Sequence, residues 1–190
     1  MLILNQQGAI TKNLSVNEQG VKHLIDLKSK ENMHLYYGLK NRFEYHVENR
    51  EEVISQIAQN LLNYVKEYDF IVYPQSSSDF LKKVVFQLGK TSVEIKKSSM
   101  QEVMVFMQNL PLQKKERQSH LERLEQMGES LKINQFKASQ RVKYEKVLFK
   151  KTNLPTGKGL IVDDSSFSGT TYRALKEVAS SCDYVAIFAK

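Results

Sequence analysis

The sequence predicts an α/β protein in which a central, mostly parallel sheet is flanked by helices, with a small β-rich hood at residues 1–48. Two observations predict this fold class. From residue 49 onward, short apolar runs typical of buried strands alternate with apolar residues at helical spacing, which is the pattern of β-α-β units. Polar loops follow two of the apolar runs, and a parallel sheet brings such loops together at the carboxyl ends of its strands. We therefore expect a core domain at 49–190, with a basic helical insertion at about 100–145.

The first 48 residues contain short alternating apolar runs, and these predict two hairpins. The runs pair 2–4 with 9–11 and 33–37 with 43–47. Between the hairpins, Ser15 and Glu18 have the spacing of a capping box, which predicts a helix reaching Lys28. The aromatic residues of the second hairpin are Tyr36, Tyr37, Phe43 and Tyr45. Because aromatic residues are ordinary in strands, we expect them to fill a small sheet core; the alternative is a lid that stacks on a flat base.

The core region begins with the clearest helical pattern of the chain. Asn49 and Glu52 have capping-box spacing, and apolar positions on one face recur as far as Val65. Pro111 opens a highly charged helix with an apolar stripe that includes Leu124. The other predicted elements are a strand at 69–73, a helix at 80–88, a strand at 92–95, a strand at 160–162, a helix from 174 and a strand at 184–188. This order is typical of a sheet whose strands are connected by helices.

The segment 158–173 carries the strongest functional signal. Its apolar strand leads into Asp163 and Asp164, which can accept hydrogen bonds from vicinal sugar hydroxyls at the carboxyl end of the strand. The loop that follows supplies hydroxyl donors, a glycine that allows close approach of a ligand, and the free amides of a helix start. Its residues are Ser165, Ser166, Ser168, Gly169, Thr170 and Thr171. Such a loop favours phosphate, so the segment as a whole indicates a ribose 5-phosphate site.

Two known kinds of site also have acidic residues at a strand end, and both fit this segment less well. A Walker B strand needs an upstream phosphate-binding loop, but Gly157 and Lys158 precede a strand and Thr152 stands where the first glycine belongs. A receiver-type phosphoacceptor pair would lie early in a chain, whereas this pair lies near its end. A polar turn capped by serine and aspartate remains the structural alternative.

A second serine-rich loop follows the strand predicted at 69–73. Ser76, Ser77 and Ser78 precede the helix at 80–88, so the loop and the helix start form another geometry suited to an anion. A run of serines is also a common helix N-cap, and taken alone this loop is better explained by capping. Together with the downstream acidic segment, it favours a second anion site.

The downstream segment resembles the phosphoribosyl-pyrophosphate motif of the type I phosphoribosyltransferases. The matching residues are Asp163, Asp164, Ser168, Gly169 and Thr171. Ser166 and Phe167 depart from the residues usual in the family. The resemblance covers about 69–99 and 132–190. Within the family, ComF-type members are weakly similar, and the similar positions are Leu121, Asn134 and Phe136.

The resemblance implies a reaction and a set of site residues. The family transfers ribose 5-phosphate from phosphoribosyl pyrophosphate to a nitrogenous acceptor and releases pyrophosphate. Asp163 and Asp164 would bind the ribose hydroxyls, and the loop after them would hold the 5-phosphate. The residues implied in binding the diphosphate are Ser76, Ser77, Ser78, Lys96 and Lys97. Mg²⁺ would be bound mainly through phosphoribosyl pyrophosphate, so we assign no residue as a metal ligand and none as a general base.

Composition narrows the remaining classes of protein. Cys182 is the only cysteine, and the four histidines lack metal-binding spacing, so neither a disulfide framework nor a transition-metal site is expected. No apolar run is long enough to cross a membrane, and the N-terminal residues lack the pattern of a signal peptide. We expect a cytoplasmic, soluble protein that forms a homodimer.

Positive charge is concentrated in one segment. Residues 96–151 hold thirteen lysines and arginines against six glutamates, and so carry the whole net charge of +7. The segment could cover the diphosphate of an active phosphoribosyltransferase. The alternative is a catalytically silent regulator that binds phosphoribosyl pyrophosphate and contacts nucleic acid or a partner protein. A degenerate site in a purely structural oligomer partner is suggested by Ser166 and Phe167 alone.

Overall fold

The structure is a computed structural model that describes residues 14–42, 44–128, 131 and 133–190. Its strands are β1 Ser15–Val16, β2 Lys22–Asp26, β3 Phe70–Pro74, β4 Thr91–Ile95, β5 Gly159–Ser166 and β6 Asp183–Ala189. Its α-helices are α1 Lys30–Leu39, α2 Arg50–Val65, α3 Phe80–Gln87, α4 Met100–Asn109, α5 Lys114–Gln126, α6 Ala138–Arg141 and α7 Thr170–Val178. Short 3-10 helices lie at Ile133–Gln135 and Val142–Tyr144.

The described strands form one sheet in the order β1-β2-β6-β5-β3-β4. Neighbouring strands run parallel except for the antiparallel β1–β2 pair. The predicted α/β class, with a mostly parallel sheet flanked by helices, is therefore confirmed. The chain moves outward from β3 to β4 on one side and from β5 to β6 on the other, so the strand order reverses between β3 and β5. Ligands of open α/β sheets bind at such a reversal, beyond the carboxyl ends of the strands.

Helices cover both faces of this sheet. Alternate residues of a strand point to opposite faces. Ile71 and Leu160 pack in the cluster formed with α1, α2 and α3, whereas Val72 and Ile161 pack in the cluster formed with α7. All four side chains are fully buried. Coverage on both faces explains why these strands are continuous apolar runs instead of alternating ones.

The residues between β4 and β5 form a helical unit, by which we mean residues 100–128, 131 and 133–147. This unit has an apolar cluster of its own. Val103 and Met107 of α4 and Leu124 of α5 are fully buried, and Phe136 and Tyr144 complete the cluster. The unit therefore packs around its own aromatic core in addition to lying beside the sheet.

The helix predicted from Ser15 to Lys28 is wrong. The side chain of Asn17 accepts hydrogen bonds from the backbone N–H groups of Gln19 and Val21 at 3.0 and 2.9 Å. Gly20 has a φ of 74°, which a helix cannot contain. This turn makes β1 and β2 a hairpin, and β2 then pairs with β6. Asparagine and glycine turn chemistry outweighed the capping-box spacing.

The hairpin predicted at 33–37 and 43–47 is also wrong. Residues 33–37 belong to α1, whose N-cap Ser29 accepts a hydrogen bond from the N–H of Asn32 at 3.1 Å. The buried residues of α1 are Leu35, Tyr36, Gly38 and Leu39. Their spacing is helical, so packing against the sheet decided between two patterns that the aromatic residues allowed. The other predicted hairpin, at 2–4 and 9–11, and Phe43 lie outside the described residues.

Helix α2 lies where the sequence predicts it, but its cap differs. Asn49 has a left-handed φ of 53°, and its side chain makes no capping hydrogen bond. The capping box predicted from Asn49 and Glu52 is therefore wrong. The helix is stabilised instead by its buried face, since Ile54, Ile57 and Leu61 have no exposed surface.

The predicted boundary at residue 48 separates a hood from the core. In the structure, the described residues before it contribute β1 and β2 to the common sheet and α1 to one face of that sheet. The division into two domains stays a prediction. Among the helices of the described residues, none has the length and apolar character that crossing a membrane requires.

Candidate functional site

The acid pair lies near the carboxyl end of the central strand β5. This strand continues past Asp163 and Asp164 to Ser166, because β6 supplies pairing partners for Ser165 and Ser166. The strand is therefore longer than the apolar run that predicted it. Alternation along the strand separates the two carboxylates. Asp163 meets Tyr184 of β6, whereas Asp164 meets the C-terminal end of α1.

Asp163 lies in a closed environment and is 2% exposed. One carboxylate oxygen accepts a hydrogen bond from the hydroxyl of Tyr184 at 2.7 Å, and the other accepts one from the N–H of Asp164 at 2.8 Å. Burial, and then the charge of Asp164, raise the pKa of Asp163. Burial, and then the charge of Asp163, raise the pKa of Tyr184. Tyr184 therefore stays protonated and holds Asp163 in place as a donor.

Asp164 is the more accessible carboxylate, at 8% exposed. One oxygen accepts a hydrogen bond from Ser165 Oγ at 2.8 Å, and Ser165 Oγ lies 2.9 Å from the Tyr36 hydroxyl. Burial, and then the charge of Asp164, raise the pKa of Tyr36, so its hydroxyl stays protonated. Because Ser165 donates its only hydroxyl proton to Asp164, the Tyr36 hydroxyl donates to Ser165. The other oxygen of Asp164 forms an ion pair with Lys40 and lies 3.5 Å from Ser76 Oγ. Asp164 thus joins β5, α1 and the serine loop after β3.

The predicted phosphate loop lines a cavity of about 300 Å³ at the start of α7. The residues that it contributes are Ser165, Ser166, Phe167, Ser168, Gly169, Thr170 and Thr171. Gly169 has a left-handed φ of 69° directly before the helix, and the Ser168 and Thr170 hydroxyl oxygens lie 3.1 Å apart. The structure therefore brings every predicted residue of this loop to one cavity.

The same cavity contains two arginines that the sequence did not predict. The guanidinium of Arg42 lies 5.2 Å from the centre of the Tyr37 ring. Arg141 donates hydrogen bonds to the carbonyls of Phe136 and Asn134 at 2.8 and 3.1 Å. The lining residues from outside the loop are Tyr36, Tyr37, Arg42, Ile133, Asn134 and Arg141. Hydroxyl donors together with guanidinium groups suit a phosphate.

The serine loop after β3 combines helix capping with the geometry of a ligand site. Ser78 Oγ accepts a hydrogen bond from the N–H of Phe80 at 3.2 Å, and so provides a partner for the first amide of α3. Ser76 Oγ accepts one from the N–H of Ser78 at 3.3 Å and lies beside Asp164. Ser77 is exposed and lines a second cavity of about 230 Å³ with the rest of the loop. The serine loop and the acid pair are therefore neighbours where the strand order reverses.

Of the two predicted lysines, Lys97 is the one close to the acid pair. Its N–H donates to Gln75 Oε1 at 3.1 Å, which ties the end of β4 to the serine loop. Its side chain reaches solvent. Desolvation by the surrounding protein, and then the charge of Lys40, lower the pKa of its ammonium, whereas the charges of the acid pair raise it. Lys96 has an exposed side chain, and the contacts of the described residues do not join that side chain to the acid pair.

Lys40 is the clearest site residue that the sequence analysis missed. Its ammonium pairs with Asp164, which lies 124 positions away in the chain. No local motif marks this lysine, and the hairpin predicted around it concealed its position at the end of α1. A helical assignment of 30–39 would have placed a lysine at the C-terminal end of a helix, where cations are favoured.

A metal ion lacks a ready set of protein ligands at this site. Among the residues that the structure describes, no group of three His, Cys, Asp or Glu side chains is placed to hold one. Each carboxylate oxygen of Asp163 and Asp164 already accepts a hydrogen bond from a protein group. The donor set therefore does not fit a magnesium ion held directly by the protein.

Solved structures that are similar to this chain include three phosphoribosyltransferases. An adenine phosphoribosyltransferase aligns with 74% of this chain and 69% of its own at 20% identity, with a TM-score of 0.41. The orotate phosphoribosyltransferase from Aeropyrum pernix aligns with 97% of this chain and 77% of its own at 12% identity, with a TM-score of 0.39. The orotate phosphoribosyltransferase of Mycobacterium tuberculosis H37Rv, in complex with Fe(III) dicitrate, aligns with 95% of this chain and 89% of its own at 9% identity, with a TM-score of 0.34.

All three structures are phosphoribosyltransferases, the family that the C-terminal motif resembles. Identities of 20% or less do not transfer an activity to this chain. No family model matches the chain, and no curated protein matches it. The similarity to ComF-type members stays a prediction.

Proposed function

We propose that this protein binds phosphoribosyl pyrophosphate and transfers its ribose 5-phosphate to a nitrogenous base or related acceptor, with release of pyrophosphate. The observation that carries this proposal is the position of the acid pair between two anion-binding loops. On one side lies the cavity lined by Ser165 to Thr171, and on the other lies Ser76 of the serine loop. Phosphoribosyl pyrophosphate has the same order of groups, with a ribose diol between a monophosphate and a diphosphate.

The 5-phosphate would lie in the cavity at the start of α7. Ser168 and Thr170 offer hydroxyl donors, and the first amides of this helix offer N–H donors with the positive end of its dipole. Arg42 and Arg141 add positive charge to the same cavity. A dianionic phosphate would therefore meet several charge-assisted hydrogen bonds.

The reacting bond would lie between the acid pair and the serine loop. The bond from sugar C1 to the diphosphate breaks with its electron pair on the pyrophosphate, and the lone pair of an acceptor nitrogen forms the new bond to C1. A hydrogen carried by that nitrogen leaves as a proton to solvent. Asp164, which accepts a hydrogen bond from Ser165, would also accept a hydrogen bond from a ribose hydroxyl. Its negative charge would offset the positive charge that develops on the sugar. Ser76 and Lys97 would stabilise the leaving group. Such charge stabilisation by groups already held in place is a large source of catalysis.

The helical unit would cover the 5-phosphate. Ile133, Asn134 and Arg141 of this unit line the cavity, and Glu145 accepts a hydrogen bond from Arg173 of α7 at 2.7 Å. The unit thus contacts the same helix whose first turn borders the phosphate. Exclusion of water by this cover would protect the reactive sugar centre from hydrolysis.

Magnesium enters this proposal as an ion carried by the diphosphate, since the described residues place no group of three His, Cys, Asp or Glu side chains to hold one directly. The acceptor is a small molecule with a nucleophilic nitrogen. We also propose a homodimer, which sedimentation velocity of the full chain would test.

The first test of this function is titration calorimetry of the full chain with phosphoribosyl pyrophosphate and MgCl₂. We expect binding by the wild type and a loss of roughly 100-fold or more in the double variant Asp163→Asn and Asp164→Asn, because two charged acceptors of hydrogen bonds are removed. Asp183→Asn is the matched control, since Asp183 bonds Tyr68 at the other end of the sheet. Unchanged affinity and turnover in the double variant would show that the assignment is wrong.

Release of pyrophosphate then identifies the acceptor. The wild type is incubated with phosphoribosyl pyrophosphate and, separately, with purine, pyrimidine and pyridine acceptors. An active enzyme releases pyrophosphate with one class of acceptor and forms the corresponding nucleotide.

The concentration of positive charge favours a second candidate, a catalytically silent regulator that binds phosphoribosyl pyrophosphate and contacts nucleic acid or a partner protein. Exposed lysines of the helical unit include Lys114, Lys115, Lys137 and Lys146. A regulator would bind phosphoribosyl pyrophosphate but release no pyrophosphate with any acceptor.

A further inference from the structure

The residue that follows helix α1 is a lysine that lies between the acid pair and the serine loop. Lys40 follows this helix as its C-cap, and its side chain is 13% exposed. Its ammonium pairs with Asp164 and donates a hydrogen bond to Ser76 Oγ at 3.3 Å. Lys40 therefore bridges the carboxylate proposed for the ribose and the loop proposed for the diphosphate.

The position of this ammonium is set by packing. Leu39 has no exposed surface, and its carbonyl accepts hydrogen bonds from Arg50 at 3.1 and 2.7 Å. The N–H of Lys40 bonds the carbonyl of Tyr36 at 3.2 Å, and its ammonium lies 5.7 Å from the centre of the Tyr36 ring. A lysine held in this way loses little further freedom when an anion binds, unlike a lysine on a flexible surface.

The ammonium keeps one donor that a diphosphate beside the carboxylate could use. An ammonium has three N–H donors, and those to Asp164 and Ser76 leave one for a phosphate oxygen. Lys97 supplies a second positive charge in the same region. A divalent cation that bound the Asp164 oxygen facing Lys40 would have to displace the ammonium.

We infer that Lys40 supplies from within the protein the positive charge that neutralises the diphosphate next to Asp164, so that this site binds phosphoribosyl pyrophosphate without a divalent cation. This inference rests on the proposed function. It concerns binding of the substrate, and an ion carried by the diphosphate can still take part in turnover.

The experiment measures the affinity of the full chain for phosphoribosyl pyrophosphate by calorimetry, once with excess EDTA and once with MgCl₂. The wild type should bind in EDTA with an affinity within about threefold of that in MgCl₂. Lys40→Gln, which keeps an N–H donor for Ser76 and Asp164 but removes the charge, should bind roughly 10- to 100-fold more weakly in EDTA. MgCl₂ should restore most of that loss, because an external cation then replaces the missing one.

Two controls separate charge from structure. Lys30→Ala removes an exposed lysine at the other end of α1 and should behave as the wild type does in both buffers. Thermal unfolding of Lys40→Gln shows whether the variant is folded. A purely structural role of Lys40 would weaken binding equally in both buffers and would not create a dependence on magnesium.

The outcomes distinguish the inference from the function. If the wild type binds in MgCl₂ and loses binding in EDTA, the inference is overturned and the proposed function stands. If Lys40→Gln binds in EDTA as tightly as the wild type, the inference is again overturned. If the wild type binds in neither buffer, both the inference and the proposed function are overturned.

Discussion

Gly169 lies in the proposed phosphate site and has a backbone conformation that favours glycine. Its φ of 69° lies in the left-handed region, directly before the first turn of α7. A Cβ at this position would lie 2.7 Å from Arg173 Nη1 and 2.9 Å from Gln19 Oε1. Glycine therefore allows both the turn of the chain and the close approach of two side chains.

We expect Gly169→Ala to lower the free energy of unfolding by about 1 kcal/mol and to weaken phosphoribosyl pyrophosphate binding, because relief of the strain shifts the amides of the loop. Urea unfolding and calorimetry measure the two effects.

Gly89→Ala is the matched control for the backbone effect. Gly89 has a similar φ of 65°, and a Cβ there would meet no atom within 4 Å. The control should lose similar stability with unchanged affinity for phosphoribosyl pyrophosphate. Equal loss of affinity in both variants would contradict a specific role of Gly169 in the phosphate loop.

The helical unit contains a buried histidine that belongs to its core. His120 of α5 is 2% exposed, and its Nδ1 lies 2.7 Å from the Tyr144 hydroxyl. Its ring is stacked on Phe136 with the ring centres 5.8 Å apart. Burial lowers the pKa of His120, and Lys143 and Arg123 lower it further, while Glu116 opposes them.

The lowered pKa predicts how acid affects this element. The unfolded chain takes up the proton of His120 more readily than the folded chain does, so the stabilising contribution is complete above about pH 6.5. It decreases as the pH falls through that value towards the lower pKa of the folded state. After correction for the intrinsic exchange rate, which itself falls with pH, the protection of α4 and α5 against hydrogen exchange should therefore be lower at about pH 5.5 than at about pH 7.

His120→Gln should remove this part of the pH dependence, since glutamine does not titrate. His46→Gln, at an exposed position outside the helical unit, should retain it. If acid lowers the protection equally in the wild type and in His120→Gln, another group causes the effect.

At the scale of the whole molecule, the positive charge and the proposed site are partly separate. Glu116 and Glu102 neutralise Lys143 and Lys150, at 3.1 and 2.9 Å. Lys114 and Lys115 at the start of α5 are exposed. Neither lysine is among the described residues that line the two cavities. Their charge is therefore available to a polyanion other than the substrate.

The double variant Lys114→Glu and Lys115→Glu separates the two candidate functions. We expect its affinity for phosphoribosyl pyrophosphate to remain within about twofold of the wild type, since neither lysine lines either cavity and salt screens exposed surface charges. Any binding of single-stranded nucleic acid by the wild type should fall with the reversal of charge and fall steeply with added salt. Calorimetry and fluorescence anisotropy at two salt concentrations measure these effects.

A loss of phosphoribosyl pyrophosphate affinity in that variant would place the start of α5 within the site. Tight, salt-sensitive nucleic-acid binding without pyrophosphate release would favour the regulator.

Much of the fold could be predicted because its signals are local. The apolar runs of β3 and β5 are continuous because helices cover both faces of the sheet, and that burial is visible in the residues themselves. The errors lie between residues 14 and 52, and at Asn17 and Gly20 asparagine and glycine turn chemistry competed with a capping pattern. Aromatic spacing around Tyr36 likewise suited both a strand and a helix until packing decided.

The sequence by itself determined the parallel sheet, the acid pair at Asp163 and Asp164, and the two loops that lie beside them, because spacing and turn chemistry act between near neighbours in the chain. The tertiary structure alone decided that Asp163 is closed off by Tyr184 and that Asp164 pairs with Lys40. It also placed Arg42 and Arg141 in the cavity at the start of α7. These contacts join residues far apart in the chain, and only the packing of α1 and the helical unit against the sheet brings them together.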